Sequence, residues 1–229
     1  TGMTLPERFG GSEFGFGGLA VAFEETGRTL TASPLLSTIV LGGGLINRLG
    51  SDPLRNELLP GLIGGKQFLA LALDESPRHQ PTQIQTEGRR IDNEWVLNGR
   101  KTFVLDGHVA DTLLVAARTA GADDDPSGIS LFMVPRDTPG LDIERLWMVD
   151  SRNAANIDLS DVRVPQANLL GEPGGAGAAL ERVLDEARTM LAAEMLGSAE
   201  EAFERTLAYL KLREQFDVVI GSFQALKHR

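Results

Sequence analysis

The spacing of apolar residues divides the chain into a helical part, a part rich in strands and a second helical part. Up to residue 65, apolar positions recur at intervals close to the helical repeat. Two segments here, Ser33–Pro34 and Ser51–Pro53, combine an N-cap residue with a proline and are typical of helix starts. A group of glycines at positions 61, 64 and 65 ends the last helix. We therefore predict an N-terminal helical domain over residues 1–65.

From residue 66 the pattern changes to short apolar runs between residues that break regular structure. Such runs are typical of buried strands, and they indicate a middle β domain over residues 66–175. The alternation of the last run slips at Ser160–Asp161, as it does at a β-bulge or a turn. The strands are predicted at residues 67–73, 111–118, 128–134 and 156–164.

A hairpin is predicted inside this β domain at Asn98–Gly99. Residues 94–97 and 100–106 flank this pair, and both segments have strand character. Asparagine and glycine accept the positive φ angles that a type I′ turn requires. We therefore expect two short strands joined at residues 98 and 99.

The third part is one long helix. After the breaker cluster 171–177, apolar residues follow a single helical stripe, and a helix over 178–213 would be about 54 Å long at 1.5 Å per residue. A turn is predicted at 216–221, and the few residues beyond it offer little to cover such a helix. We expect a C-terminal helical domain over 176–229 that is incomplete, in a sequence truncated at both ends.

Composition excludes several classes of function. The chain has 32 acidic and 22 basic residues, a net charge of −10, which disfavours binding to nucleic acid. It has no cysteine, and its three histidines form no zinc pattern, so no metal site is expected. The first residues lack the charged and apolar parts of a signal peptide, and no apolar run reaches the ~18 residues of a membrane span. We predict a cytoplasmic protein without membrane contact.

Three isolated features receive plain structural interpretations. The glycines of 174–177 open a helix but lack the spacing of a dinucleotide-binding loop, so this segment is interpreted as a linker. The acidic run 123–125 is interpreted as a solvated loop between strands. The sequence shows no serine or cysteine nucleophile that His108 would activate, so no catalytic role is assigned to it.

A family resemblance appears when several short strings are taken together and in order. The strings are Leu5–Gly11, Ala70–Glu75, Leu97–Lys101, Val162–Pro165, Arg213–Phe216 and Ile220–Gln224. With this order and spacing the whole chain resembles the acyl-CoA dehydrogenases. The resemblance implies an α+β fold with N-terminal helices, a β barrel-like middle domain and a C-terminal helical bundle, here incomplete.

The resemblance also implies a reaction, the FAD-dependent α,β-dehydrogenation of an acyl-CoA thioester to a trans-2-enoyl-CoA. A carboxylate removes the α proton while the β hydrogen leaves as hydride to the flavin. The catalytic glutamate of the family is expected beyond Arg229, so the catalytic residue is unknown in this sequence. The implied partners are an electron acceptor flavoprotein and further subunits in a homo- or hetero-oligomer, a dimer or tetramer.

Two residues match the family's Asp-x-x-Arg near the acyl-CoA site. Asp185 and Arg188 are three residues apart and therefore lie on one helical face. The resemblance makes them substrate-binding residues. The alternative is a surface ion pair that contributes a few tenths of a kcal/mol, and the sequence leaves both interpretations open.

The flavin contacts that the resemblance implies in this chain lie on two strands. They are Leu71, Leu73, Asp74, Phe103 and Leu105. Two of them depart from the family, because Asp74 replaces a ring-contacting threonine and Leu105 replaces a second threonine. An ionised aspartate accepts hydrogen bonds but donates none, and leucine does neither. We therefore interpret the flavin site of this chain as degenerate.

Other residues match positions that contact the FAD of a neighbouring subunit. These are Arg213, Phe216 and Gln224, while Asp217 stands where the family nearly always has glycine. Two hypotheses result. The chain is either a subunit that performs the dehydrogenation, or a non-catalytic structural partner that completes the FAD and acyl-CoA sites of a catalytic sibling.

Overall fold

The computed structural model describes residues 2–125, 127–150 and 152–228. Its contacts form two compact units. The larger unit contains residues 1–16 and 32–188, and the smaller unit contains residues 17–31 and 189–229. Among the described residues, no helix is both long enough and apolar enough to cross a membrane.

The helix starts predicted in the first part of the chain are confirmed. A π-helix, Leu35–Gly43, follows Ser33–Pro34, and the N–H of its first residue donates to Ser33 Oγ at 3.3 Å. Helix α3, Asp52–Ile63, follows Ser51, whose Oγ accepts from the N–H of Leu54 at 3.4 Å. The Ser51 contact is an N-cap, which depends only on neighbouring residues, whereas Pro34 occupies the N-cap position of the π-helix and no side chain caps that helix. The remaining helices are a 3₁₀ turn at Glu7–Phe9, α1 at Gly15–Arg28 and α2 at Gly44–Leu49.

The larger unit contains an eight-stranded sheet. Seven of its strands pair side by side in the order β6-β7-β3-β2-β4-β5-β8. The remaining strand, β1, pairs in parallel with β4. Its core contains Trp95 and Phe132, whose ring centroids are 5.2 Å apart. The four strands predicted from single apolar runs are confirmed; the sequence analysis missed β2, β6 and β8. The strands are β1 Leu69–Ala72, β2 Glu87–Ile91, β3 Glu94–Leu105, β4 Thr112–Arg118, β5 Ile129–Pro135, β6 Leu141–Trp147, β7 Asn153–Pro165 and β8 Leu169–Leu170.

The hairpin predicted at Asn98–Gly99 is wrong, because β3 runs through these residues without a turn. Gly99 has a φ of 151°, and a Cβ there would lie 2.5 Å from Thr86 Oγ1, so glycine is needed for a close approach. The Asn98 side chain pairs instead with Asp161 across a shift in register, so the irregularity predicted at residues 160–161 is a bulge and not a turn. The chain reverses earlier, between β2 and β3, where Asp92 has a φ of 55°.

The long helix is confirmed as α4, Gly177–Leu212. In the smaller unit, Arg28 of α1 binds Glu200 at 3.1 Å and Glu204 at 2.9 Å. After α4, the chain forms a short hairpin of β9, Glu214–Gln215, and β10, Val218–Val219. Its turn residues have positive φ angles, including 61° at Asp217, which an aspartate tolerates better than most residues. A 3₁₀ turn at Ile220–Ser222 and helix α5, Gln224–Lys227, follow.

Candidate functional site

The end of β1 is joined to β3 by hydrogen bonds from consecutive residues. Lys101 Nζ donates to the carbonyl of Leu73 at 3.1 Å, and Thr102 N–H donates to the carbonyl of Asp74 at 2.8 Å. The Thr102 hydroxyl donates to the carbonyl of Ser76 at 3.1 Å. Leu71 and Leu73 themselves are buried. The structure therefore brings the predicted residues at the end of β1 next to the segment of β3 that contains Phe103 and Leu105.

A buried ion pair, which the sequence analysis missed, holds this junction. Lys101 has no exposed surface, and its ammonium lies 2.6 Å from Glu75 Oε1. Burial lowers the pKa of Lys101 to about 8, against the opposing effect of Glu75. Burial alone would raise the pKa of Glu75, but Lys101 and the N–H groups of Gln85 and Thr86 hold that pKa below its usual value. The available signal was a lysine inside a strand and a glutamate three residues after the end of β1, but their pairing depends on the fold.

Phe103 lies on a bulge of β3 with an unusual backbone. Its φ is 53°, which is rare for an aromatic residue, and its ring is 53% exposed. The register of β3 against β7 shifts at this point, and Phe103 N–H donates to Asn156 Oδ1 at 3.3 Å. Strained conformations of this kind persist where neighbouring contacts fix them. The bonds of Lys101 and Thr102 supply those contacts and leave the ring accessible at the surface of this unit.

The carboxylate of Asp74 is occupied within its own loop. Its Oδ2 lies 2.9 Å from Nδ1 of His79, and its Oδ1 accepts from the N–H of Gln80 at 3.1 Å. Leu105 is half-buried and carries no polar atom on its side chain. Neither residue therefore presents a hydrogen-bond donor to a ligand.

The predicted substrate residues lie on the first turns of α4 and form an ion pair. Arg188 Nη1 is 2.6 Å from Asp185 Oδ1, and both side chains are more than half exposed. Arg188 Nη2 also lies 3.5 Å from Nε2 of His79. A line of contacts thus leads from Asp74 through His79 to Arg188 and Asp185. The sequence analysis missed His79, because its contacts depend on the conformation of the loop.

A cavity of about 600 Å³ opens beside Arg188. Its apolar wall consists of Ile129, Leu180 and Leu184, and Thr82 lies among its polar residues. Both the volume and the mixture of apolar wall with a few polar groups are typical of sites for small organic ligands. The larger unit therefore has a pocket at the N-terminal end of α4 with a guanidinium at its wall.

The residues predicted to contact a neighbouring subunit are all exposed, and they lie at the end of the smaller unit. The carbonyl of Arg213 accepts from the N–H of Ile220 at 2.8 Å, which closes the β9–β10 hairpin. Phe216 lies in its turn with 86% of its surface exposed, and Gln224 begins α5. The hairpin therefore groups Arg213 with Phe216, and Gln224 follows after one 3₁₀ turn.

Three family models match the chain in order. The N-terminal domain of acyl-CoA dehydrogenase matches residues 1–66, the middle domain matches residues 74–162, and the C-terminal domain matches residues 174–229. Together they account for nearly all of the chain.

Individual relatives agree with these matches. A probable acyl-CoA dehydrogenase of Bacillus subtilis, YngJ, is 34% identical over all of this chain, which covers 62% of that protein. A glutaryl-CoA dehydrogenase of Mycobacterium smegmatis, solved in complex with FADH2, superposes with a TM-score of 0.89 at 29% identity, over 99% of this chain and 58% of its own. A steroid ACAD, Tcur3481-Tcur3483, superposes with a TM-score of 0.83 at 38% identity, over 99% and 58% respectively. The chain thus spans about 60% of the length of these relatives. In sequence and in its α+β fold, the chain belongs to the acyl-CoA dehydrogenase family.

Proposed function

We propose that the chain takes part in the FAD-dependent α,β-dehydrogenation of an acyl-CoA thioester to a trans-2-enoyl-CoA, as a subunit of an acyl-CoA dehydrogenase. The observation that carries the proposal is the ordered match of all three family domains along the chain. The likeness to a glutaryl-CoA dehydrogenase that holds FADH2 supports both the cofactor and the substrate class. An electron acceptor flavoprotein and assembly into a dimer or tetramer belong to the same proposal.

The cavity beside Arg188 is the proposed site for acyl-CoA. Coenzyme A carries phosphate groups, and a guanidinium recognises phosphate through charge-assisted hydrogen bonds. Asp185 Oδ1 lies 2.6 Å from Arg188 Nη1, and Arg188 lines the same cavity as Leu180 and Leu184. The apolar wall suits the uncharged part of the ligand. In this proposal Asp185 and Arg188 bind and orient the substrate.

When FAD is bound, its flavin accepts the hydride. The side chains of Asp74 and Leu105 do not fit a flavin ring that requires donors, because the carboxylate is occupied by His79 and Gln80 and the leucine is apolar. We therefore assign no step of the reaction to them. Arg213, Phe216 and Gln224 are proposed to contact the FAD of a neighbouring subunit, since their exposure in the described residues leaves them accessible to it.

The test is anaerobic titration of the full-length, flavin-loaded protein with acyl-CoA. We expect the flavin absorbance to bleach as substrate is added. An Arg188→Ala variant should need a substrate concentration about ten to a hundred times higher, because a charge-assisted contact contributes roughly 1.5 to 3 kcal/mol. Arg205→Ala is the matched control, since Arg205 also lies on α4 in an exposed ion pair but outside this cavity. A flavin that stays oxidised at saturating acyl-CoA would contradict the proposal and favour the non-catalytic partner.

A further inference from the structure

A second, small cavity lies where β3 ends. Its volume is about 60 Å³, and its apolar wall consists of Pro34, Leu36 and Leu105. Ser37 and Asp106 meet at this cavity, and its other polar lining residues are Ser33, Arg152 and Asn153. Because Leu105 belongs to the wall, the cavity adjoins the strand on which the flavin contacts are predicted.

Ser37 and Asp106 are closely coupled. Ser37 is 1% exposed, and its hydroxyl donates to Asp106 Oδ2 at 2.5 Å while it also lies 3.1 Å from the carbonyl of Pro34. One hydroxyl hydrogen serves one acceptor at a time. Burial raises the pKa of the Asp106 carboxyl above its ordinary value, in opposition to the hydrogen bond from Ser37. The pair therefore groups a hydroxyl and a carboxyl at one buried position, where polar atoms need hydrogen-bond partners.

The charges around Asp106 favour a neutral ligand over a cation. Arg152 lines the same cavity, and Arg152 and His108 both act on the carboxyl electrostatically. An ammonium group would meet Arg152 as a like charge. A hydroxyl both donates and accepts, so it can satisfy the carboxyl without adding charge. The cavity volume also suits a hydroxyl group, because one water molecule occupies about 30 Å³ and the cavity holds a group of about two heavy atoms.

We propose that this cavity binds a hydroxyl group carried by the acyl chain of the substrate, with Asp106 and Ser37 as its hydrogen-bond partners. The inference rests on the proposed function and defines its substrate class as hydroxylated acyl thioesters. Asp106 already accepts from Ser37 and is hydrogen-bonded by Asn153. A carboxylate has about four acceptor sites, so a ligand hydroxyl would add a charge-assisted hydrogen bond that an unsubstituted chain cannot make. Asp106 and Ser37 are then specificity residues and take no part in the dehydrogenation itself.

The test compares hexanoyl-CoA with hydroxyhexanoyl-CoA isomers that carry the hydroxyl on carbon four, five or six. Calorimetry on the full-length, flavin-loaded protein, with the flavin reduced beforehand so that no turnover occurs, gives the dissociation constants. We expect one isomer to bind at least about ten-fold more tightly than hexanoyl-CoA. Asp106→Leu should reverse this order, and Ser37→Ala should reduce it. Asp142→Asn is the control, because Asp142 lies on β6 and outside the cavity.

Equal or weaker binding of all three isomers to the unmodified protein would overturn the inference, and this comparison needs no variant. An unchanged preference in both Asp106→Leu and Ser37→Ala would also overturn it. Hexanoyl-CoA itself reports on the proposed function. If hexanoyl-CoA binds and no isomer is preferred, only the hydroxyl site is wrong, whereas absence of binding by every thioester rejects both.

Discussion

At the scale of single residues, the buried pair of Lys101 and Glu75 determines the geometry at the end of β1. Lys101 Nζ contacts both the carbonyl of Leu73 and the carboxylate of Glu75, on either side of Asp74. A buried ion pair adds little net stability compared with apolar residues of the same volume. The loss of one partner, however, leaves a buried charge without its counter-charge. The pair therefore fixes where Asp74 and Phe103 lie, and its effect on stability depends on both members.

Lys101→Met is expected to lower the free energy of unfolding by about 3 to 5 kcal/mol, because Glu75 remains buried without its counter-charge. The double variant Lys101→Met, Glu75→Gln should recover part of this loss, since the amide is uncharged and its oxygen can still accept from one of the two N–H groups, that of Gln85 or that of Thr86. Urea unfolding of the three proteins measures both changes. A double variant as unstable as the single one would show that the unpaired charge of Glu75 does not cause the loss of stability.

The same lysine predicts a pH dependence of stability. Its pKa is lowered from 10.5 to about 8 in the folded chain, so between these values the unfolded chain binds more protons than the folded one. Stability rises with pH wherever the unfolded state binds more protons. The stability of the parent relative to Lys101→Met should therefore increase as the pH rises from about 8 toward 10.5. A difference that stays flat over this window would contradict the lowered pKa.

Arg213 tests the proposed contact with a neighbouring subunit. A guanidinium at a diphosphate contributes roughly 1.5 to 3 kcal/mol, so Arg213→Ala should weaken FAD retention in the assembled protein by about one to two decades. Arg213→Lys should give an intermediate result, because it keeps the charge but loses the bidentate geometry. Lys211→Ala is the matched control, a basic residue in the last turn of α4. Equal FAD dissociation from all these proteins would remove Arg213 from the flavin site.

At the scale of elements, local signals predicted more of the structure than long-range ones. The hydrogen bonds that Ser33 and Ser51 accept come from residues two or three positions away, so the sequence alone located both helix starts. The hairpin at Asn98–Gly99 was wrong because a turn and a bulge require the same residue types, and only the position of Thr86 separates them. Strand β6 was missed for a related reason, since its exposed, alternating edge lacks an apolar run.

Gly99 provides a test of this interpretation. Its φ of 151° and the approach of Thr86, whose Cα would lie 2.7 Å from an added Cβ, both oppose a side chain. Gly10 also has a positive φ, 92°, but nothing lies within 4 Å of an added Cβ there. Gly99→Ala should therefore destabilise the protein more than Gly10→Ala, by about 1 to 3 kcal/mol of overpacking. Equal losses in urea unfolding would mean that backbone strain, and not Thr86, requires the glycine.

At the scale of the whole molecule, the order of elements and the family were predictable from strings of residues spread along the chain, because each string kept its place relative to the others. The network around Asp74 was not predictable in this way. The sequence shows that the aspartate replaces a threonine, but only the folded loop shows that His79 and Gln80 occupy its carboxylate. The Ser37–Asp106 pair is similar, since 69 positions separate its members in the chain.

The last prediction concerns the flavin content of the isolated full-length protein. Asp74 and Leu105 offer no donor to a flavin ring, while Arg213, Phe216 and Gln224 remain exposed for contact with another subunit. We therefore expect fewer than one FAD per copy of this chain in the isolated full-length protein, measured as flavin absorbance against protein concentration. The double variant Asp74→Thr, Leu105→Thr should raise this ratio, because each threonine restores a hydroxyl donor. Asp158→Thr, at an exposed aspartate of β7, is the control and should leave the ratio unchanged. One tightly held FAD per chain in a homo-oligomer would show that the site is intact despite both substitutions, and that backbone groups must supply the missing donors.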